Sequence, residues 1–210
     1  MSNNTEKPEG AIEPVARYES PFGREALRSV YEVNDLFLGW LMRANDLTEF
    51  ERAIQSQLAG MPDDSLRLAA DCPFLLVDAK FQDARAWRLV LEEFTSGELP
   101  RQPDADRHDS SRIGLARSTF FAAWYIVHRW PSSAELLVGA TEEVIASISS
   151  IELTRLAALA ESRTGWITPR WPDRPDVWAQ LLVAATNASH GESASLRQRA
   201  LQLLLGRLLG

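Results

Sequence analysis

One cysteine, Cys72, stands in 210 residues. A lone thiol excludes an intrachain disulfide and a cysteine-built zinc site, and it fits a reducing cytoplasm. Lysine is almost missing too: Lys7 and Lys80 are the two lysines among 22 basic residues, and the rest are Arg. That bias reads as nucleotide composition before function, because nothing gathers the arginines into one stripe. No apolar run approaches the roughly 18 residues a membrane span needs. The 11 glycines are scattered, and none precedes a Lys-Ser or Lys-Thr pair, which excludes a glycine-rich phosphate loop. Met1–Gly23 has neither a basic start nor an apolar centre, so it is not a signal peptide; its Asn, Glu, Pro and Gly read as a disordered leader.

What is present is an ordinary globular composition, 45% apolar and 24% charged, with seven tryptophans. The net charge of −7 is unevenly spread. Residues 1–110 carry a net −9, residues 111–150 balance, and residues 151–210 carry a net +2. An acidic surface repels nucleic acid, since phosphate affinity depends on Lys and Arg. Any action on DNA is therefore expected at the C-terminal end or through a basic partner.

The second half echoes the first at an offset of about 90 residues, the length of a duplicated small domain rather than of a solenoid repeat. Both halves run from an apolar helical turn through Leu-Ala into an extended apolar segment. Lys80-Phe81 pairs with Arg170-Trp171, Asp83 with Asp173, and Trp87 with Trp178. Apolar steps of three and four residues predict a helix over Arg24–Ala44, with Gly39 and Trp40 marking a close approach to another helix. Thr48 and Glu51 have capping-box spacing for a helix to Leu58, and Pro62 opens another that Pro73 ends. Phe74–Phe81 is expected to be a strand or a buried extended segment, and Asp83–Phe94 a helix. Thr95–Ser111 reads as a linker. Ile113–Trp130 is then helical, with short helical turns at Ser133–Gly139 and Glu142–Ser147. Ser149 or Ser150 caps a helix through Glu161, Trp166–Trp171 is extended, and Pro175–Thr186 is helical. Ser195–Leu209 adds a last helix whose Leu201, Leu204, Leu205 and Leu208 form one stripe.

The expected fold is mainly α: a leader (1–23), a first unit (24–94), a linker (95–111), a second unit (112–187) and a C-terminal helix (192–210). Such a tandem suggests one chain doing the work of a symmetric dimer.

No constellation carries catalytic chemistry. His108, His128 and His190 lack a second ligand at metal spacing, so neither metal nor cofactor is expected. His128 fits a helix C-terminus, and Cys72 a buried small hydrophobe. Asp63-Asp64 fits a helix start; Glu92-Glu93 and Glu142-Glu143 fit solvated helix faces. Trp87 and Trp178 are expected core anchors. Trp166, Arg170 and Trp171 are either a partner-binding edge, given the weight of Trp and Arg in interfaces, or a packed strand with two buried rings. Leu201, Leu204 and Leu208 dock either on this chain's own core or on a partner. Arg197, Arg199 and Arg207 are either phosphate contacts or a solvated face.

Several short runs resemble FlhD, the flagellar master-regulator subunit. Val30-Tyr31-Glu32-Val33-Asn34 with Leu36-Phe37-Leu38 is similar to the family's opening helix. Leu68-Ala69-Ala70-Asp71 and the stretch to Lys80-Phe81-Gln82-Asp83 are similar to its central part. Gly139–Glu143, Leu159–Ser162 and Arg170–Asp173 follow in the same order in the second half. The resemblance covers roughly 26–94 and 113–185. It implies a non-enzymatic, cytoplasmic transcription-regulator subunit that works with an FlhC-like DNA-binding partner and meets promoter DNA only within that complex. Two units in one chain resemble a covalent dimer. The family's chain is about half as long, and the position of its linking cysteine falls at Val77-Asp78 and Thr168 here. The other expectation compatible with the residues is a cytoplasmic adaptor of a bacterial secretion or motility machine.

Overall fold

The computed structural model describes residues 23–97 and 110–187. The leader up to residue 22, residues 98–109 with His108, and residues 188–210 with His190 and the leucine stripe lie outside the described residues. The fold is mainly helical, as expected, with nine α-helices and a two-stranded sheet among the described residues. In the first half α1 (Arg24–Arg43), α2 (Glu49–Leu58) and α3 (Asp63–Ala70) lead to β1 (Val77–Asp78) and α4 (Ala84–Ser96). The second half runs through α5 (Ser110–Arg129), α6 (Pro131–Leu137), α7 (Glu142–Ser149), α8 (Leu153–Ser162), a 3-10 turn (Thr164–Trp166), β2 (Thr168–Pro169) and α9 (Pro175–Asn187). The order helix, helix, helix, strand, helix recurs, and α6 is the inserted element. None of the described helices is long and apolar enough to cross a membrane.

Local sequence explains most boundaries. Thr48 Oγ1 accepts from Glu51 N, and the Glu51 carboxylate accepts from Thr48 N at 2.8 Å, so both bonds of the capping box are made. Thr141 caps α7 in the same way but with Val144 at the third position, so only half the box exists. Asp83 caps α4 through Ala86 N, and Gly97 ends it in the left-handed region.

Two expectations are corrected. Ser149 and Ser150 do not cap α8: their hydroxyls turn back to the carbonyls of Ala146 and Ser147, and Glu152 occupies the cap position without a side-chain bond. Hydroxyls at a helix end find the free carbonyls of the turn behind them as readily as the amides ahead. The close approach to another helix is made by Trp40, which is buried with the Arg112 guanidinium of α5 5.3 Å from its ring, whereas a Cβ placed at Gly39 would first meet the Arg43 guanidinium of its own helix. Of the two forms expected for Phe74–Phe81 the buried extended segment is the one observed, and this segment and Trp166–Trp171 each contain two strand residues. The rest of both segments is extended or turned, and buried side chains hold it in place rather than a ladder.

The two strands pair antiparallel with each other, Val77 opposite Pro169 and Asp78 opposite Thr168. A twofold axis relating Val77 to Thr168, an offset of 91 residues, carries one of these pairs onto the other. Trp87 and Trp178 share that offset and are each 1% exposed. Lys80 and Trp171 share it as well, and both have φ of 57°. The same bond follows each corner: Asp83 N donates to Lys80 O at 2.9 Å, and Arg174 N donates to Trp171 O at 3.0 Å. Likeness of side chains pairs Lys80-Phe81 with Arg170-Trp171 and Asp83 with Asp173. The backbone instead sets Lys80 against Trp171 and Asp83 against Arg174, because the left-handed corner fixes the register whatever side chain stands there.

Packing crosses between the halves. Helix α9 lies on α3 and α2, α4 lies on α7, and α1 lies against α5. One continuous core results, with Phe37 and Trp178 from different halves 6.2 Å apart between ring centroids. Leu75 N donates to Leu137 O, Thr141 N to Phe81 O, and Arg170 N to Leu76 O, so backbone bonds also run from half to half.

Candidate interaction surface

At the centre of the molecule the two extended segments meet. Trp87 Nε1 donates to Lys80 O at 3.0 Å, and Trp178 Nε1 donates to Arg170 O at 2.7 Å. Each indole therefore fills the core while its one donor is satisfied at a corner. Beside them Asn34 of α1 is fully buried: Nδ2 donates to the carbonyls of Ala70 and Phe74, and Oδ1 accepts from Leu76 N. Asn34 stands among the apolar positions of α1 and is the tie between α1 and the chain leaving α3. Its flanking aliphatic residues hid it, and the signal was one amide in an otherwise apolar face.

Arg170 lies half-buried at this crossing. Its guanidinium sits over the Trp171 ring at 4.7 Å and the Phe74 ring at 5.6 Å, and Nη1 donates to Leu75 O. It packs against Gly139, whose φ of 83° and missing side chain leave room for it. Burial pulls the Arg170 guanidinium down to about 10, and the Asp78 carboxylate opposes that shift. Burial raises the Asp78 carboxyl, while amide donors at Phe81 and Lys80 and the Arg170 charge pull it back. Arg170 and Trp171 thus face inward, with Trp171 set edge-on to Phe74 at 5.4 Å.

Trp166 has a different set of neighbours. It is half-buried against Trp87 at 5.7 Å, and Lys80 Nζ and the Arg163 guanidinium approach its ring at 5.4 and 5.7 Å. Arg163 also forms a two-oxygen salt bridge to Glu93, at 2.6 and 2.7 Å. Glu93 is therefore not part of a solvated acid face: it ties α4 to α8. The ring contacts of Trp166 and of the Arg170–Trp171 pair share no residue. Leu201, Leu204, Leu208, Arg197, Arg199 and Arg207 lie outside the described residues.

His128 sits in the last turn of α5, where Nδ1 bonds Trp124 O at 2.9 Å. Cys72 is buried. Asp63 and Asp64 occupy the first turn of α3 without a side-chain cap bond, and Asp64 pairs with Arg67. Among the described residues no group of three or more His, Cys, Asp or Glu side chains is arranged to hold a metal ion.

A surface that sequence reasoning missed lies where α1 and α5 run side by side. Four of the seven exposed large hydrophobics among the described residues line one groove there: Leu36, Phe121, Tyr125 and Leu153. Val33 and Ala122 also line it, and its volume is about 400 Å³. Comparison with protein-family models, with curated proteins and with solved structures finds no match. The groove was invisible in the sequence because its residues come from three helices, and no helix alone shows more than two exposed apolar side chains there. Tyr125 Oη donates to Glu25 at 3.0 Å, which ties α5 to the start of α1 along the rim and pushes the phenol up.

Proposed function

We propose that this protein is a non-enzymatic regulatory subunit that works in a heteromeric complex, with DNA contacted by a basic, FlhC-like partner. The observation that carries the reading is the mutual packing of two similarly ordered halves about the β1/β2 crossing, which gives one chain the form of an intertwined pair. The FlhD-like runs add to it: Asn34, the last residue of Val30–Asn34, is the buried tie of α1. The acidic first half fits a chain that reaches promoter DNA only through its partner. A contiguous apolar groove is the kind of surface at which such subunits meet other helices.

The test is copurification followed by a DNA mobility shift. The expected result is a salt-sensitive shift of promoter DNA only when this chain and its basic partner are both present. Association with components of a secretion or motility machine, with no shift under any pairing, overturns the regulatory reading in favour of the adaptor.

A further inference from the structure

We infer that the α1/α5 groove is the contact surface for a second copy of this chain. Helices α1 and α5 run antiparallel, since Glu25 meets Tyr125 at one end of the pair and Trp40 meets Arg112 at the other. Ser29, Glu32, Val33 and Leu36 line the groove from α1, and Ser118, Phe121, Ala122 and Tyr125, each 89 residues further on, line it from α5. An antiparallel pair lined by equivalent positions on both sides has a local twofold between its helices. The groove therefore continues the seam along which the two halves pack.

That symmetry selects the occupant. A lone foreign helix is offered equivalent positions whichever way it runs, so nothing fixes its direction. A second copy meets the groove with the same twofold surface, and such an isologous contact closes at two. Two antiparallel pairs set face to face make a four-helix arrangement whose interior receives Leu36, Phe121 and Tyr125, together with Leu153 of α8. Leu36 and Leu153 are 47% exposed and Phe121 and Tyr125 37% in the whole chain, so their cover comes from outside it. Charge permits the contact. Glu32 alone is charged among the described lining residues, and Arg28 already holds its carboxylate at 2.9 Å, so like faces meet without repulsion. Size permits it as well. Each helix has 20 residues. At about 30 Å long and about 10 Å wide apiece, the two give a face of about 600 Å². Two such faces reach about 1,200 Å², the lower end for a stable interface. The inference goes beyond the regulatory reading and does not rest on it.

The test is sedimentation equilibrium of the full chain from about 1 to 100 μM, a range that brackets weak specific dimers. The expected result is a mass that rises from 23.5 kDa toward twice that value and no further. Leu36→Asp and Phe121→Asp should each raise the dissociation constant at least about thirtyfold, because a substitution enters an isologous contact twice. Leu36→Gln repeats the measurement without a new charge. Leu89→Asp and Val183→Asp, at exposed positions on α4 and α9, should leave the constant within about threefold. Unchanged circular dichroism shows that each variant is folded. A mass of 23.5 kDa throughout overturns the inference and leaves the groove to a different protein. A dimer that the groove variants do not weaken overturns it too, since the contact then lies elsewhere, and so does a mass that climbs past two copies. Neither partner protein nor DNA is needed, so this outcome stays separate from that of the mobility shift.

Discussion

Replacing Asn34 tests whether the buried amide holds the first half together. Its Nδ2 donates to Ala70 O at 3.1 Å and Phe74 O at 2.9 Å, and its Oδ1 accepts from Leu76 N at 2.8 Å, all out of contact with water. Asn34→Ala leaves two carbonyls and one amide buried without these bonds. At about 1–1.5 kcal/mol for each, the loss is roughly 3–4.5 kcal/mol. Against a total stability of about 5–15 kcal/mol, that is a large share. Asn34→Leu fills the space but leaves the same three backbone groups unpaired, so the loss is expected to be similar. Urea unfolding followed by tryptophan fluorescence and circular dichroism measures both. A loss below about 1 kcal/mol for Asn34→Ala refutes the reasoning, because it means the backbone groups find other partners. Asn34→Asp adds a pH test. A carboxylate there faces two carbonyls in a buried site, which raises its folded pKa above the unfolded value near 3.9. Stability contributed by this proton is fully present below that unfolded value and is lost as pH rises through the folded one. The Asp variant should therefore weaken between about pH 4 and 7 relative to the wild-type chain, which has no titrating group at that position.

Trp87→Phe and Trp178→Phe each remove one indole bond to a corner carbonyl, and the two losses should agree within about 1 kcal/mol by urea unfolding; widely different losses would show that the two corners are not equivalent. Gly139→Ala drives a Cβ into the Arg170 guanidinium at a left-handed φ, so a loss of about 2–4 kcal/mol is expected by the same measurement. Thr48→Ala removes one half of the capping box and should lower the melting temperature by about 2–6 °C for a loss of about 1–1.5 kcal/mol. Asp78 has a folded pKa raised above 3.8, so its contribution is fully present below that pH and falls as pH rises through the folded value. Asp78→Asn should therefore gain on the wild-type chain as pH rises above 3.8 through the folded value, and a difference that stays constant there would contradict the burial argument.

Much of the fold could be read directly from residue spacing. The helix over Arg24–Arg43, the Thr48–Glu51 box and the burial of both Trp87 and Trp178 follow from apolar periodicity and cap chemistry, which are local. Register within the repeat was not local. Two cations beside two aromatics look equivalent on paper, yet the left-handed corner falls on Lys80 in one half and on Trp171 in the other. Glu93 also needed coordinates, since its partner Arg163 stands 70 residues away. The groove was the least legible feature, being assembled from a few exposed residues on α1, α5 and α8.

The exchange of helices between halves has a consequence for synthesis. Helices α2 and α3 are covered by α9, so the first half leaves the ribosome with apolar faces whose cover has not yet been made. At roughly 5–20 residues per second, that interval lasts about 6–25 s. During it, the nascent chain is open to pairing with the first half of a neighbour on the same message, and chaperone binding in that window would favour closure within one chain.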